Sequence, residues 1–214
     1  VARDAERLES LATETGAETL SLDATRFDDV ERATGHAQAL WGRLDGLANC
    51  VGSVLLRPAH MTSESAYRDV IAQNLDTAFA TVRAGGKALK GGGSIVLVSS
   101  AVVRSGLPNH EAIAAAKGGI EGLVRSAAAT YAAADVRVNA VAPGLVRTPL
   151  TERITSNERA AESSLALHAL GRFGEPADIA SAITWLLSPE QAWLTGQVIG
   201  VDGGLGSVRT VPRG

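Results

Sequence analysis

The 214 residues are 45% hydrophobic and 20% charged, enough apolar content over enough length to bury a sizeable core and too much for a disordered chain. A net charge of -3 and a pI near 5.8 give no electrostatic reason to expect nucleic acid or an anionic membrane as a partner, and a small molecule suits them better. Cys50 alone cannot form an intramolecular disulfide, no Cys/His cluster has metal-ligand spacing and no apolar run nears the roughly 18 residues of a membrane span, which fits one soluble domain over residues 1–214 in a reducing cytoplasm.

Residues 4–15 place Leu8, Leu11 and Ala12 on one helical face and stop at Gly16, which predicts a helix. A short strand follows over 18–22, then a helix over 28–41 and a strand over 45–49. A long helix is expected over 64–90, behind the capping candidates Thr62 and Ser63, with Gly91-Gly92-Gly93 ending it. The remaining elements are a strand over 94–99, a helix over 111–133, a strand over 136–141, a helical insertion over 150–170, a helix opened by Pro176 and a strand over 197–201. The strings SIVLVS and VRVNAVA are almost continuously apolar and separated by helix-length segments. That pattern belongs to parallel strands buried on both faces, so the fold class is α/β, a doubly wound parallel sheet flanked by helices. Ligands of such sheets sit at the carboxyl ends of the strands, where Asp23, Asn49, Ser100, Pro143-Gly144 and Asp202 fall.

Each short polar string is an ordinary turn by itself, and the order of the strings carries the information. LDAT at 22–25, ANCVG at 48–52, QNL at 73–75, SS at 99–100, AAAKGG at 114–119, RVNAVAPG at 137–144, TPL at 148–150, GRFGEPADIA at 171–180 and TGQVIGVDGG at 195–204 cover nearly the whole chain. In this order they resemble the short-chain dehydrogenase/reductase family, and within it the 3-oxoacyl-carrier-protein reductase branch.

The resemblance implies a Rossmann-like sheet and an NAD(P)-dependent oxidoreductase that moves hydride between nicotinamide and a carbonyl or alcohol substrate. It also implies a homodimer or homotetramer built on the helices at 64–90 and 111–133. Ser100 would polarise the carbonyl, Lys117 would hold the nicotinamide ribose and Asn74 would hold a water of the proton relay. Asp23 would contact the adenine amino group. Asn49 and Gly52 match an Asn-x-x-Gly segment whose Asn ties neighbouring strands together, while Cys50 between them reads as a small buried filler. Pro143, Gly144 and Thr148 would cover the nicotinamide, with Thr148 bonding to the cofactor. Arg3 stands where a guanidinium can pair with the adenosine 2'-phosphate, which favours NADP(H) over NAD(H). Asp202-Gly203-Gly204 reads as a structural turn. The substrate pocket is expected from residues 104–108 and 150–170, segments with no diagnostic chemistry.

Two departures stand out. The family's chemistry needs a tyrosine one helical turn before the lysine, so that the ammonium lowers the phenol's pKa. Counting four back from Lys117 and thirteen on from Ser100 both reach Ile113. An aliphatic side chain cannot donate a proton, which admits an alternative: a catalytically weak NAD(P)-binding or regulatory protein. His110 is the nearby candidate donor, on one stripe with Ile113 and Lys117 if the helix starts early, though about 10 Å from Lys117 along the axis. The second departure is the beginning: no G-x-x-x-G-x-G run precedes Arg3, so the first strand and its phosphate-binding turn are expected in roughly 30 or more further residues.

Overall fold

The computed structural model describes residues 1–209. In chain order the elements are α1 (Ala5–Thr15), α2 (Phe27–Trp41), β1 (Gly46–Asn49), α3 (Glu64–Ile71), α4 (Thr77–Ala88), β2 (Gly93–Val98), α5 (Val102–Ser105), α6 (Glu111–Tyr131), β3 (Val136–Pro143), α7 (Glu152–Thr155), α8 (Glu158–Leu165), α9 (Pro176–Leu187) and β4 (Val198–Val201). The four strands are parallel, in the order β1-β2-β3-β4, and a helical segment crosses over between each pair. Parallel neighbours need such crossovers, so the alternating pattern and the topology have one cause.

The pleat divides the core between two faces. Ile95 and Leu97 of β2, with Val138 and Ala140 of β3, pack against Ala78 and Val82 of α4 and Ile120 and Val124 of α6. Val96 and Val141 turn the other way onto Ile183 and Leu186 of α9. Ala127 and Ala128, a run suited to close helix packing, are buried in the first of these clusters. Helix α9 starts sharply because Pro176 sits in its first turn and Asp178 accepts the Glu175 backbone N–H at 2.8 Å. The Arg172 guanidinium also binds Asp178 and holds its carboxyl at about 2, well below the usual carboxylate range. No helix among the described residues is long and apolar enough to cross a membrane.

Several expected elements take another form. Residues 18–22 make only an isolated parallel bridge between Ser21 and Ala2, and among the described residues β1 pairs with β2 alone. A strand needs a ladder on at least one side to extend, and this pair has a single rung. The long helix is not uniform. A π turn over Ala72–Asp76 separates α3 from α4, and α4 stops at Ala88, where Leu89 leaves helical geometry at φ -82°, ψ 61°. The cause lies at Asn74, whose side-chain amide donates to the Val70 carbonyl at 2.9 Å. An uninterrupted α-helix would pair that carbonyl with the backbone N–H of residue 74. The insertion at 150–170 is two short helices, α7 and α8, with Asn157 capping the second through the Ala160 N–H at 3.0 Å.

Candidate active site

A cleft of about 880 Å³ opens at the carboxyl ends of β1, β2 and β3. Ser100, Ile113 and Lys117 line it together, and Asn74, Gly52, Pro143, Gly144 and Thr148 reach the same space. The cleft is mostly apolar, and among the described residues no carboxylate side chain lines it.

Lys117 projects from α6 one turn after Ile113, so both sit on the helix face turned toward the cleft. Its ammonium donates to the Val98 carbonyl at 2.7 Å, and the side chain is buried. Burial pulls the ammonium down to about 8, and the neighbouring Cys50 thiol works against that shift. Cys50 is not buried filler: its residue is exposed at the cleft. Desolvation still pushes its thiol up, and the Lys117 charge opposes this.

Asn74 is buried at 1% exposure. Its Oδ1 accepts the Ser53 N–H at 3.3 Å, and its Nδ2 donates to the Ser53 hydroxyl at 3.0 Å. The π turn thus fastens the crossover helix to the segment after β1, in keeping with the frequent use of such turns at functional sites. Gly52 permits this approach, since a Cβ there would lie 2.9 Å from Asn74 Oδ1 and 3.6 Å from Lys117 Nζ. A Gly52→Ala substitution is accordingly expected to push the Asn74 carboxamide off Ser53 and destabilise the fold by about 1–2 kcal/mol in urea unfolding.

The other sequence candidates lie elsewhere or act differently. Asn49 ties β1 to α4, donating to Thr81 Oγ1 at 3.1 Å, and accepts the Val51 N–H at 2.9 Å. Asp23 and Arg3 are near neighbours outside the cleft. The Thr25 N–H and hydroxyl bind the Asp23 carboxylate and lower its pKa, and Arg3 adds to the effect. Thr148 shares a turn with Thr151, their hydroxyls 3.1 Å apart. His110, the N-cap of α6, lines the same cleft as Ile113 and Lys117, and its Nδ1 lies 2.7 Å from the Pro108 carbonyl of the entry loop. Arg104 does not line the cleft, because its guanidinium donates to the Val198 carbonyl at 3.0 Å. Leu107, Pro108 and much of 150–168 do line it. Asp202 accepts the Gly204 and Gly206 N–H groups at 2.9 Å each, a turn built by its own carboxylate. Reasoning from sequence missed His168, a lone histidine with no motif around it, which lines the cleft while almost wholly buried.

Residues 1–206 match the enoyl-(acyl carrier protein) reductase family model. The chain is 38% identical over 188 residues to the 3-oxoacyl-(acyl-carrier-protein) reductase FabG of Thermotoga maritima, covering 86% of this chain and 75% of that protein. It is 34% identical over 209 residues to the L-tagatose-forming galactitol 2-dehydrogenase of Cereibacter sphaeroides, covering 94% and 82% respectively. A short-chain type dehydrogenase/reductase from Mycobacterium ulcerans superposes with a TM-score of 0.88 at 29% identity, covering 95% of this chain and 78% of that one. The chain belongs to the short-chain dehydrogenase/reductase family and is an oxidoreductase of that type, which implies NAD(P) as cofactor. The residues present fit one end of such a dinucleotide: Gly52 leaves a space beside Lys117 that a Cβ would fill, and a buried ammonium and a threonine hydroxyl border the cleft.

Proposed function

We propose that the chain is an NADP(H)-preferring oxidoreductase acting on a small carbonyl or alcohol, with a site departing from its family at one position. The observation that carries this reading is the convergence of Asn74, Ser100 and Lys117 on one cleft. The nicotinamide, when bound, supplies or accepts the hydride. Gly52, Pro143, Gly144 and Thr148 would hold it, Lys117 would grip its ribose, and Asp23 would receive the adenine amino group. Ser100 donates its hydroxyl proton in a hydrogen bond to the substrate carbonyl oxygen, and Asn74 keeps the segment after β1 in place for the relay. Asn49 anchors β1 beneath that segment. Ile113 passes no proton, so protonation of the product falls to water or to His110.

The preference for NADP(H) rests on Arg3, exposed beside Asp23. Replacing Arg3 with Glu should weaken NADPH binding by about tenfold or more and leave NADH binding nearly unchanged, because the carboxylate repels a 2'-phosphate that NADH lacks. Fluorescence titration with both nucleotides, followed by turnover on a panel of ketones and aldehydes, tests the reading. Native protein that binds neither nucleotide would sink it.

Ile113 favours a second reading, a nucleotide-binding or regulatory protein with weak turnover. Tight NADPH binding without carbonyl reduction selects it. The assembly we propose is a homodimer or homotetramer through α4 and α6, supported by Phe79, a large apolar side chain on α4 that is 49% exposed. The proposed location is the cytoplasm, in keeping with a single unpaired cysteine.

A further inference from the structure

His168 stands between the end of α8 and the motif that opens α9, and its side chain touches three separate segments. It is only 5% exposed, and both ring nitrogens are engaged. Nδ1 lies 2.7 Å from the Ser164 carbonyl in the last turn of α8, and Nε2 lies 3.1 Å from the backbone nitrogen of Leu145, in the loop after β3. A carbonyl oxygen only accepts and an amide N–H only donates, so the partners dictate the tautomer: the proton sits on Nδ1 and the lone pair on Nε2.

The surroundings are shaped around the ring. Phe173 meets it edge-on, with centroids 6.3 Å apart and planes at 87°. A Cβ on Gly144 would come within 2.7 Å of Nε2, and one on Gly203 within 3.5 Å of the ring, so both chains approach it where neither carries a side chain. The Asp202 carboxylate, the nearest acidic group in that turn, is occupied by the Gly204 and Gly206 N–H groups. The imidazole therefore forms a strut between α8, one wall of the cleft, and the loop over 144–148, another.

We infer that His168 is a positioning residue that locks the loop over 144–148 to helix α8, so that the two walls of the cleft hold the nucleotide as one unit. The inference rests on reading the cleft as the cofactor site. It adds a residue whose bonds select one imidazole tautomer.

Three substitutions in the intact protein separate this role from simple packing. His168→Gln places an amide oxygen near Nε2 and keeps an acceptor for the Leu145 N–H. His168→Asn places its amide near Nδ1 and keeps the donor to Ser164. His168→Leu keeps most of the volume and neither bond. Amide hydrogen exchange at Leu145 and the NADPH dissociation constant are measured for each. The expected result is exchange at least tenfold faster and NADPH affinity about tenfold weaker in the Leu and Asn variants, the consequence of losing one bond to a buried amide. The Gln variant should stay within about threefold of the native protein on both measures.

Equal NADPH affinity in all four proteins, or a Gln variant as impaired as the Leu variant, overturns the inference. So does a ring ¹⁵N spectrum that puts the proton on Nε2. If the Leu variant fails to fold, the Gln and Asn pair makes the same comparison. If the native protein binds no NADPH, the cofactor reading fails by itself, and Leu145 exchange still decides the strut: protection kept in the Gln variant and lost in the Asn variant supports it, and equal protection overturns it.

Discussion

Replacing Ile113 with Tyr is expected to raise carbonyl reduction by about 10²- to 10⁴-fold, the usual contribution of a positioned general acid. The position is suited to it. Ile113 lines the cleft on the same face of α6 as Lys117, one turn before it, so a phenol there would share the cleft with the ammonium that lowers its pKa and with the Ser100 hydroxyl. The cost comes from packing. Ile113 is 5% exposed and belongs to a cluster with Val70, Ala112 and Ala116, against which Leu55 and Val102 also pack. Growing a ring at the edge of that cluster should destabilise the fold by about 1–3 kcal/mol, visible in urea unfolding. Turnover is read from NADPH oxidation on the same carbonyl panel for both proteins. A variant that folds and binds NADPH but reduces nothing faster would show that the missing acid is not what limits this site, and would count against the whole assignment of the cleft.

Lys117→Met is expected to make the protein more stable at pH 7 and to lose that advantage as the pH rises. Burial holds the folded-state ammonium near 8, against 10.5 for the free group. Between those values the unfolded chain binds more protons than the folded one, so the native protein gains stability with rising pH across that window and bears the full penalty below it. The difference corresponds to roughly 3 kcal/mol, offset by about 1 kcal/mol for the Val98 carbonyl that loses its donor in the variant. Cys50 titrates in the opposite sense, since its raised pKa costs the native state stability as the pH rises, but it is present in both proteins and largely drops out of the comparison. Chemical unfolding of both proteins at intervals from pH 7 to 10.5 tests the sign. A gap that stays constant or widens contradicts a buried, charge-strained lysine. The same substitution should abolish most NADPH binding, which dissociates the residue's value to function from its cost to the fold.

The architecture was legible because burial on both faces leaves long apolar strings: SIVLVS and VRVNAVA became β2 and β3 almost to the residue. The cleft was legible for the same reason, since a parallel sheet presents polar residues at its carboxyl ends, and Asn74, Ser100 and Lys117 do meet there. What escaped depends on contacts between residues distant in sequence. Asn74 carries no local sign that its amide takes the Val70 carbonyl and widens the helix, because a single helical Asn fits an exposed surface equally well. The partner of Asn49 is Thr81, 32 residues away, and the partner of His168 is Leu145, 23 residues away. The segment at 18–22 has the composition of a strand, but composition does not supply the neighbour that would extend its single bridge.

The π turn at Ala72–Asp76 also sets the angular phase of the crossover helix. One added residue rotates everything beyond it by about 100° around the axis, so Val70 before the turn and Ala78 after it follow separate 3.6-residue rhythms. Chimeras that exchange α3 or α4 with a relative must therefore match the residue count to the turn geometry, with either the extra residue and its π turn or neither. Straightening the turn into a plain α-helix with every residue kept would swing Ala78 and Val82 away from β2, whereas removing one residue from the turn would restore α geometry and leave their phase unchanged.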